Sequence, residues 1–411
     1  MIVHSKNKTI KTFVTIVLHS ENLELRKDPG QIPYHAYKEL GYDSTLVTYY
    51  YPIETGRSVG AIGNPPEEPE TINKDYPFLK SEVNGLKIHF LKHKGRGKFY
   101  EKAVYDYLVA NSSKIDVLNL LHFSSENIFY CFFYKLLNPI GKVYLKLDID
   151  ISFYEKKKTI FNTLSKVKFI ENLVIRLFFR TVTVISAESK AGLEYFKNIF
   201  TPPVKKLILL PNGVDLIRIN KIISTIKTFN EKENIILTVG RIGNTQKNNE
   251  LLMDAITTID DLKDWKVYFV GPIEKEFELV ISKYFKTYPQ LKDKVVFTGA
   301  TYNPIELYSY YNRAKVFCLT SKFEGFPLVC CEAAFFGNYM LLSENINAFD
   351  TLTNEGKNGN AFPLNLDELR KLLTSIINNT VDLSSHYNDI ISYSRKSLVW
   401  QSNIKALNTF L

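Results

Sequence analysis

Residues 314–334 read AKVFCLTSKFEGFPLVCCEAA. The apolar run AKVFCLTS has strand length and ends in a short polar loop. Pro327 then opens a second apolar run, LVCCEAAFF, long enough for a helix and stopped near Gly337. A strand hydrophobic on both faces that passes straight into a helix is the repeating unit of a parallel sheet covered on both sides.

The same alternation extends in both directions. FVTIVL, STLVTYYY, LKIHFL, IDVLNLLHF, KVYLKLDI and TVTVIS precede it, and NIILTVGRI, WKVYFVG, KVVFTGA and YMLLSE complete a second series. The series breaks at 211–234, PNGVDLIRINKIISTIKTFNEKEN, where turn residues lead into a polar, helix-like connector. The pattern predicts an α/β chain of two doubly wound, Rossmann-like domains facing a central cleft. A length of 411 residues agrees with more than one core. The polar stretch 52–81 is expected to be a surface excursion.

Composition narrows the function. The chain carries a net charge of +9, and the excess lies in residues 1–210, with 30 Lys and Arg against 21 Asp and Glu; the remainder balances at 22 against 22. Basic clusters at 92–98 (KHKGRGK) and in the mixed apolar and basic segment 156–180 suit a phosphate-bearing or lipid-linked partner, or an anionic membrane surface, as well as a solvated helix face. No basic and aromatic reader motif speaks for nucleic acid. No apolar run is long enough to span a bilayer and the first residues lack a signal-peptide plan, so a cytoplasmic protein is expected, able to touch the inner membrane face. Cys131, Cys318, Cys330 and Cys331 have no metal-ligand spacing and are expected to pack as small hydrophobes.

Ligands of such sheets bind beyond the carboxyl ends of the strands. After the first strand, Gly30 in KDPGQIPYH can admit backbone to a phosphate, with a helix expected from Ile32 or Pro33. After NIILTV, the turn GRIGNTQKNN presents Gly240, Arg241 and Lys247 ahead of an amphipathic helix. After AKVFCLTS, the free amides of Leu328 and Val329 at a helix start form an anion site, with Glu324 on one side and Glu332 one turn into the helix on the other. A carboxylate on each side of a diphosphate suits a ligand with a sugar at both ends, one of them ribose. The spacing alone leaves open a loop glutamate and a helix glutamate engaged in ordinary lysine pairing.

FEGFPLVCCEA together with VGRIGNTQKN resembles the spaced-glutamate and Arg/Lys signatures of retaining GT-B glycosyltransferases, glycosyltransferase family four. VISAES (184–189), LLPNGVD (209–215), KDPGQIPYH and GKNGNAFPL (356–364) extend the resemblance along most of the chain. It implies a metal-independent hexosyltransferase that needs no cofactor beyond its nucleotide-sugar donor and acts on a glycan or lipid-linked acceptor in cell-surface polysaccharide or glycolipid synthesis. It implies an acceptor-binding domain at 1–210, a donor-binding domain at 211–385, and helices at 386–411 returning to the first, with Trp400 as an anchor. Arg241 and Lys247 would hold the diphosphate, where growing negative charge on the leaving group rewards fixed cations. Glu324 would take the transferred sugar, beside the backbone of Gly325 and Phe326, and Glu332 the ribose. Backbone from Gly299 through Ala300 to Tyr302 would meet the base. His122, at the end of the run IDVLNLLHF, matches less firmly a histidine lining the sugar pocket; a hydrogen-bonded strand-end histidine is the alternative. Asp148 and Asp150 form a D-x-D triplet known as a metal signature in another fold. Here Asp148 is expected to line the cleft or meet the acceptor, with no metal. An inactive scaffold subunit or a GT-B epimerase would keep the same fold.

Overall fold

The computed structural model describes residues 10–18, 27–49, 82–83, 85–91, 101–149, 151, 168–301 and 303–411. The expectations for 52–81, 92–98, 156–167, Asp150 and Tyr302 lie outside those residues. The first sheet comprises β1 (Thr12–Ile16), β2 (Asp43–Tyr49), β3 (Glu82–Val83), β4 (Leu86–Leu91), β5 (Val117–Leu121), β6 (Lys142–Leu147), β7 (Val184–Ala187) and β8 (Leu207–Leu209), in the order β3-β4-β2-β1-β5-β6-β7-β8. The second comprises β9 (Glu233–Val239), β10 (Lys266–Val270), β11 (Val295–Gly299), β12 (Ala314–Leu319), β13 (Tyr339–Ser343) and β14 (Gly359–Phe362), in the order β11-β10-β9-β12-β13-β14. Apart from the short antiparallel β3–β4 pair, every pairing is parallel. The apolar runs disappear into the two cores: all of VLNLL in β5 and all of YMLLS in β13 are buried. This is the two-sheet α/β architecture read from the alternation.

Each sheet reverses its winding once, between β1 and β5 in the first and between β9 and β12 in the second. Crevices open at such reversals, beyond the carboxyl ends of the two strands. In the second sheet the loops at that point carry Arg241 and Lys247 on one side and Glu324 on the other.

Helices cover both sheets: α1 (Asp28–Leu40), α2 (Lys102–Asn111), α3 (Ser125–Leu137), α4 (Lys168–Thr181) and α5 (Lys190–Phe200) in the first unit. Between the units lies α6 (Leu216–Ile222), whose start is capped by Asp215 through the Ile217 and Arg218 amides. The second unit holds α7 (Asn249–Thr257), α8 (Phe277–Thr287), α9 (Pro304–Arg313), α10 (Leu328–Phe335), α11 (Phe349–Leu352), α12 (Leu366–Ile377) and α13 (Leu383–Ser397). The last helix, α14 (Trp400–Asn408), crosses back. Trp400, Ile404 and Leu407 share one apolar cluster with Ile32 and Ala36 of α1 and with Phe13, Val117, Tyr144 and Val184 on the first sheet. The crossing is tied at the PNGVD segment: Val214 forms a parallel bridge with Val399, Gln401 Nε2 donates to Asp215 at 2.7 Å, and Asn403 Nδ2 donates to the Pro211 carbonyl at 2.8 Å.

Three local expectations need correction. The helix after β1 begins at Asp28, not at Ile32 or Pro33, because Pro29 already has the φ that a first turn needs. Gly30 is therefore buried inside that turn, and its amide donates to the Lys27 carbonyl at 3.2 Å rather than standing open to a phosphate. Pro327 is the extended cap residue of α10, and the helix proper starts at Leu328.

Candidate functional site

The site is built where two loops of the second unit are laced together. Lys322 donates its amide to the Gln246 carbonyl at 2.7 Å, and Gln246 Nε2 donates to the Phe323 carbonyl at 3.0 Å. The Thr320 hydroxyl donates to the carbonyls of Lys247 and Asn248 at 3.0 and 2.9 Å. Asn248, which adopts the left-handed conformation, returns a bond to the Thr320 carbonyl. This lacing carries Lys247 onto Glu324: the ammonium donates to Oε1, which also accepts from the Ser321 hydroxyl at 2.9 Å. The side chains of Lys247 and Glu324 are only 15% and 11% exposed, so the pair sits in a partly dried environment where its charges act strongly. Glu324 is held through its backbone as well, by exchange with Asn345 and Asn347.

Beside this pair starts α10. The Leu328 and Val329 amides lie in its first turn, where a helix has no internal acceptor for them, and no side chain caps them. Glu332, one turn on, accepts from the Tyr311 hydroxyl of α9 at 2.8 Å. Burial, reinforced by Glu332, pushes the Tyr311 phenol well above its usual range, so it stays a donor. Gly240 adjoins Lys247, since a Cβ there would lie 3.5 Å from Lys247 Cε. Arg241 is exposed on the same loop and, among the described residues, makes no ion pair. Gly271 packs so tightly on this loop that a Cβ would lie 1.9 Å from the Gly240 carbonyl oxygen. Ala300 is exposed just past the end of β11. The structure thus gathers Gly240, Lys247, Glu324, Gly325, Phe326, Leu328, Val329 and Glu332 around one helix start, with Arg241 on the rim. Gly30 is not among them.

The first unit faces this group across the cleft. A Cβ on Gly325 would lie 3.5 Å from Glu188 Oε1, 3.6 Å from the Ile149 carbonyl and 3.7 Å from Asp148 Oδ1, so this glycine brings the second unit into van der Waals range of those three groups. His122 is exposed after β5 with φ of 69°; its amide donates to the Lys146 carbonyl and its carbonyl accepts from Asn127. Asp148 is exposed after β6.

Behind Asp148 lies a charge cluster absent from the sequence reading. Lys146, fully buried in β6, has Nζ 3.3 Å from Glu188 Oε2 and 3.8 Å from Asp28 Oδ2. Burial opposes its charge, but Glu188, Asp28 and the nearby Tyr144 and Asp148 outweigh that and push its pKa up. Burial pushes Asp28 up too, against the pull of Lys146. The signals were a lysine within KVYLKL and a glutamate within VISAES, charges in runs otherwise apolar. The four cysteines are free and buried, and burial pushes the Cys131 thiol to about 12. Among the described residues, no group of three or more His, Cys, Asp or Glu could hold a metal ion, and no helix is long and apolar enough to cross a membrane.

Two doubly wound units, an anion-ready helix start at the switch point of the second and a returning C-terminal helix define the GT-B fold of glycosyltransferases. Residues 220–397 match the model of the family described as Glycosyl transferases group 1. A glycosyltransferase of Rickettsia africae ESF-5 has the same fold, with a TM-score of 0.66 at 12% identity over 98% of both chains. The Anabaena protein HepE, solved in complex with UDP, superposes with a TM-score of 0.63 at 13% identity, over 97% of this chain and 99% of that one. Among curated proteins, the chain is 29% identical over 165 residues to N-acetylgalactosamine-N,N'-diacetylbacillosaminyl-diphospho-undecaprenol 4-alpha-N-acetylgalactosaminyltransferase of Campylobacter jejuni. That match covers 40% of this chain and 42% of the relative, so it spans well under half of either. The family resemblance read in the sequence is carried by these matches.

Proposed function

We propose that this protein is a retaining glycosyltransferase that moves a sugar from a nucleotide-sugar donor to a glycan or lipid-linked acceptor in cell-surface glycan synthesis. The observation carrying the reading is the laced pair of loops that sets Lys247 and Glu324 beside the open amides of α10. Lys247, Arg241 and those amides suit a diphosphate whose charge grows as the sugar leaves. Glu324, oriented by Lys247 and Ser321, suits the transferred sugar's hydroxyls, and Glu332, oriented by Tyr311, suits the ribose. UDP is the first nucleotide to try, as the ligand of the Anabaena protein that shares the fold. In this reading fixed cations and helix amides do the electrostatic work for which other folds use a metal, and the leaving phosphate itself takes the acceptor proton.

The test is to incubate the chain with a panel of nucleotide sugars, with chelator present, and follow donor breakdown and transfer. Glu324→Gln should lose transfer while nucleoside diphosphate binding persists. Equal loss of both, or a requirement for added metal, would count against the assignment.

We place the protein in the cytoplasm, peripheral to the membrane. Its α4 turns Ile175, Phe178 and Phe179 into the core yet leaves Phe169, Ile170, Leu173 and Leu177 exposed, with Arg176 and Arg180 on the same helix. An apolar stripe flanked by cations suits an anionic bilayer surface. Flotation with anionic liposomes at low salt should carry the protein up, and Leu173→Asp should abolish it; a protein that stays at the bottom in both cases refutes membrane contact.

A further inference from the structure

Glu188 is 2% exposed, and both its oxygens need partners, since an unpaired buried carboxyl is costly. Oε2 has them: Lys146 Nζ at 3.3 Å and Asn212 Nδ2 at 2.7 Å. Oε1 is buried and meets no donor among the described residues. Oε1 and Asp148 Oδ1 converge on one point, lying 3.5 and 3.7 Å from the Cβ position of Gly325, and a hydrogen bond between the two carboxyls helps to raise Glu188. Two ionised carboxylates are acceptors only and repel each other, whereas one proton between them turns the contact into a hydrogen bond. Burial comes first, and Asp148 and Asp28 add to it, in pushing Glu188 well above its usual range, against Lys146. The other groups facing the pair are Asp28 from α1, itself faced by His122 after β5, and Cys331 and Gly325 of the second unit.

We propose that Glu188 is a positioning residue that donates a proton to Asp148, fixing that exposed carboxylate opposite Gly325 as the acceptor of a hydroxyl from the incoming sugar. The proposal deepens the glycosyltransferase reading and rests on it. It also defines the acceptor's reacting end. With Glu188 holding the proton and Lys146 answering Asp28, the exposed Asp148 carboxylate is the charge at this wall; it welcomes hydrogen-bond donors and repels an anion set against it, so the sugar that enters is uncharged there, and a uronic acid is rejected. A lipid-linked acceptor must keep its phosphates away from this end of the cleft.

The first test needs no sugar. Infrared spectra of the full chain near neutral pH should show the carbonyl stretch of a protonated carboxylic acid, missing from Glu188→Gln. Absence of that band in the unaltered chain overturns proton sharing. The second is kinetic. Asp148→Asn, at an exposed position that the fold does not need, should raise the acceptor KM by about tenfold, the size expected for one lost hydrogen bond to a charged group, with nucleoside diphosphate affinity unchanged. Glu188→Leu should do the same, and Glu188→Gln, whose amide still donates, should recover most of that loss. An unchanged acceptor KM in Asp148→Asn, or a Gln variant as impaired as the Leu variant, overturns the positioning role. If the unaltered chain turns over no donor in the panel, the glycosyltransferase reading falls and the acceptor role with it, while the infrared band still decides the proton sharing.

Discussion

Replacing Lys146 by methionine keeps the length of the side chain and removes its charge. In the native protein that charge answers Glu188 at 3.3 Å and Asp28 at 3.8 Å, from a side chain with no solvent exposure. Taking one partner out of a buried ion cluster costs about 3–5 kcal/mol, because the acids left behind are buried without a counter-charge. In a unit of this size each kcal/mol lowers the melting temperature by about 2–4 °C, so a fall of about 6–20 °C is expected. The pH dependence identifies the cause. Lys146 has a folded pKa raised above its unfolded value, so its contribution is complete below about pH 10 and does not vary between about pH 5 and 8. Without it, Glu188 and Asp28, already raised, rise further; folded-state protons are then bound that the unfolded chain lacks, and stability falls as pH rises above about 4. The variant's deficit should therefore be largest near pH 7.5 and shrink toward pH 5. Thermal melts by circular dichroism at both pH values measure it. A shift below about 2 °C, or one equal at both pH values, would show that the cluster does not act as a buried ion network.

Tyr311→Phe removes only the hydroxyl that donates to Glu332; a bond to a charged acceptor is worth about 1.5 kcal/mol, so calorimetry should find nucleoside diphosphate bound about tenfold more weakly with the fold intact. Gly271→Ala places a Cβ 1.9 Å from the Gly240 carbonyl oxygen at φ of +140°, so the Arg241 loop must move; a loss of about 2 kcal/mol in urea unfolding together with weakened nucleotide binding is expected. Trp400→Ala empties the anchor of α14 and should cost about 3–5 kcal/mol, read as a lower urea midpoint; a loss under about 1 kcal/mol would mean that this helix is dispensable.

The strands were legible wherever an apolar run is buried on both faces, as in β5, β9 and β13. The runs read alone omitted β3, β8 and β14, because EV is only two residues long, LIL is partly exposed at the sheet's edge and GNAF is short, with a glycine and an asparagine. The start of α1 was misplaced because Pro33 looked like a first-turn proline, whereas Pro29 holds that position. At the site, residue types and spacing were enough to single out Lys247, Glu324 and Glu332. That Lys247 pairs with Glu324 was not readable, since the two are brought together by β9 lying next to β12, a pairing between distant segments. Lys146 escaped for a different reason: a charge inside an apolar strand is recognisable only when Asp28 of α1 and Glu188, just past β7, are in place around it.

The return of α14 has a consequence for how the protein is made. The surface formed by Phe13, Val117, Tyr144 and Val184 is finished only by Trp400, Ile404 and Leu407. On the ribosome, at about 5–20 residues per second, some ten to forty seconds of synthesis separate the last strand of the first unit from the helix that covers it. During that interval the nascent chain presents a bare apolar face. A chaperone that shields exposed hydrophobic surface should engage the growing chain from about the completion of β8, and let go only after α14 has left the exit tunnel.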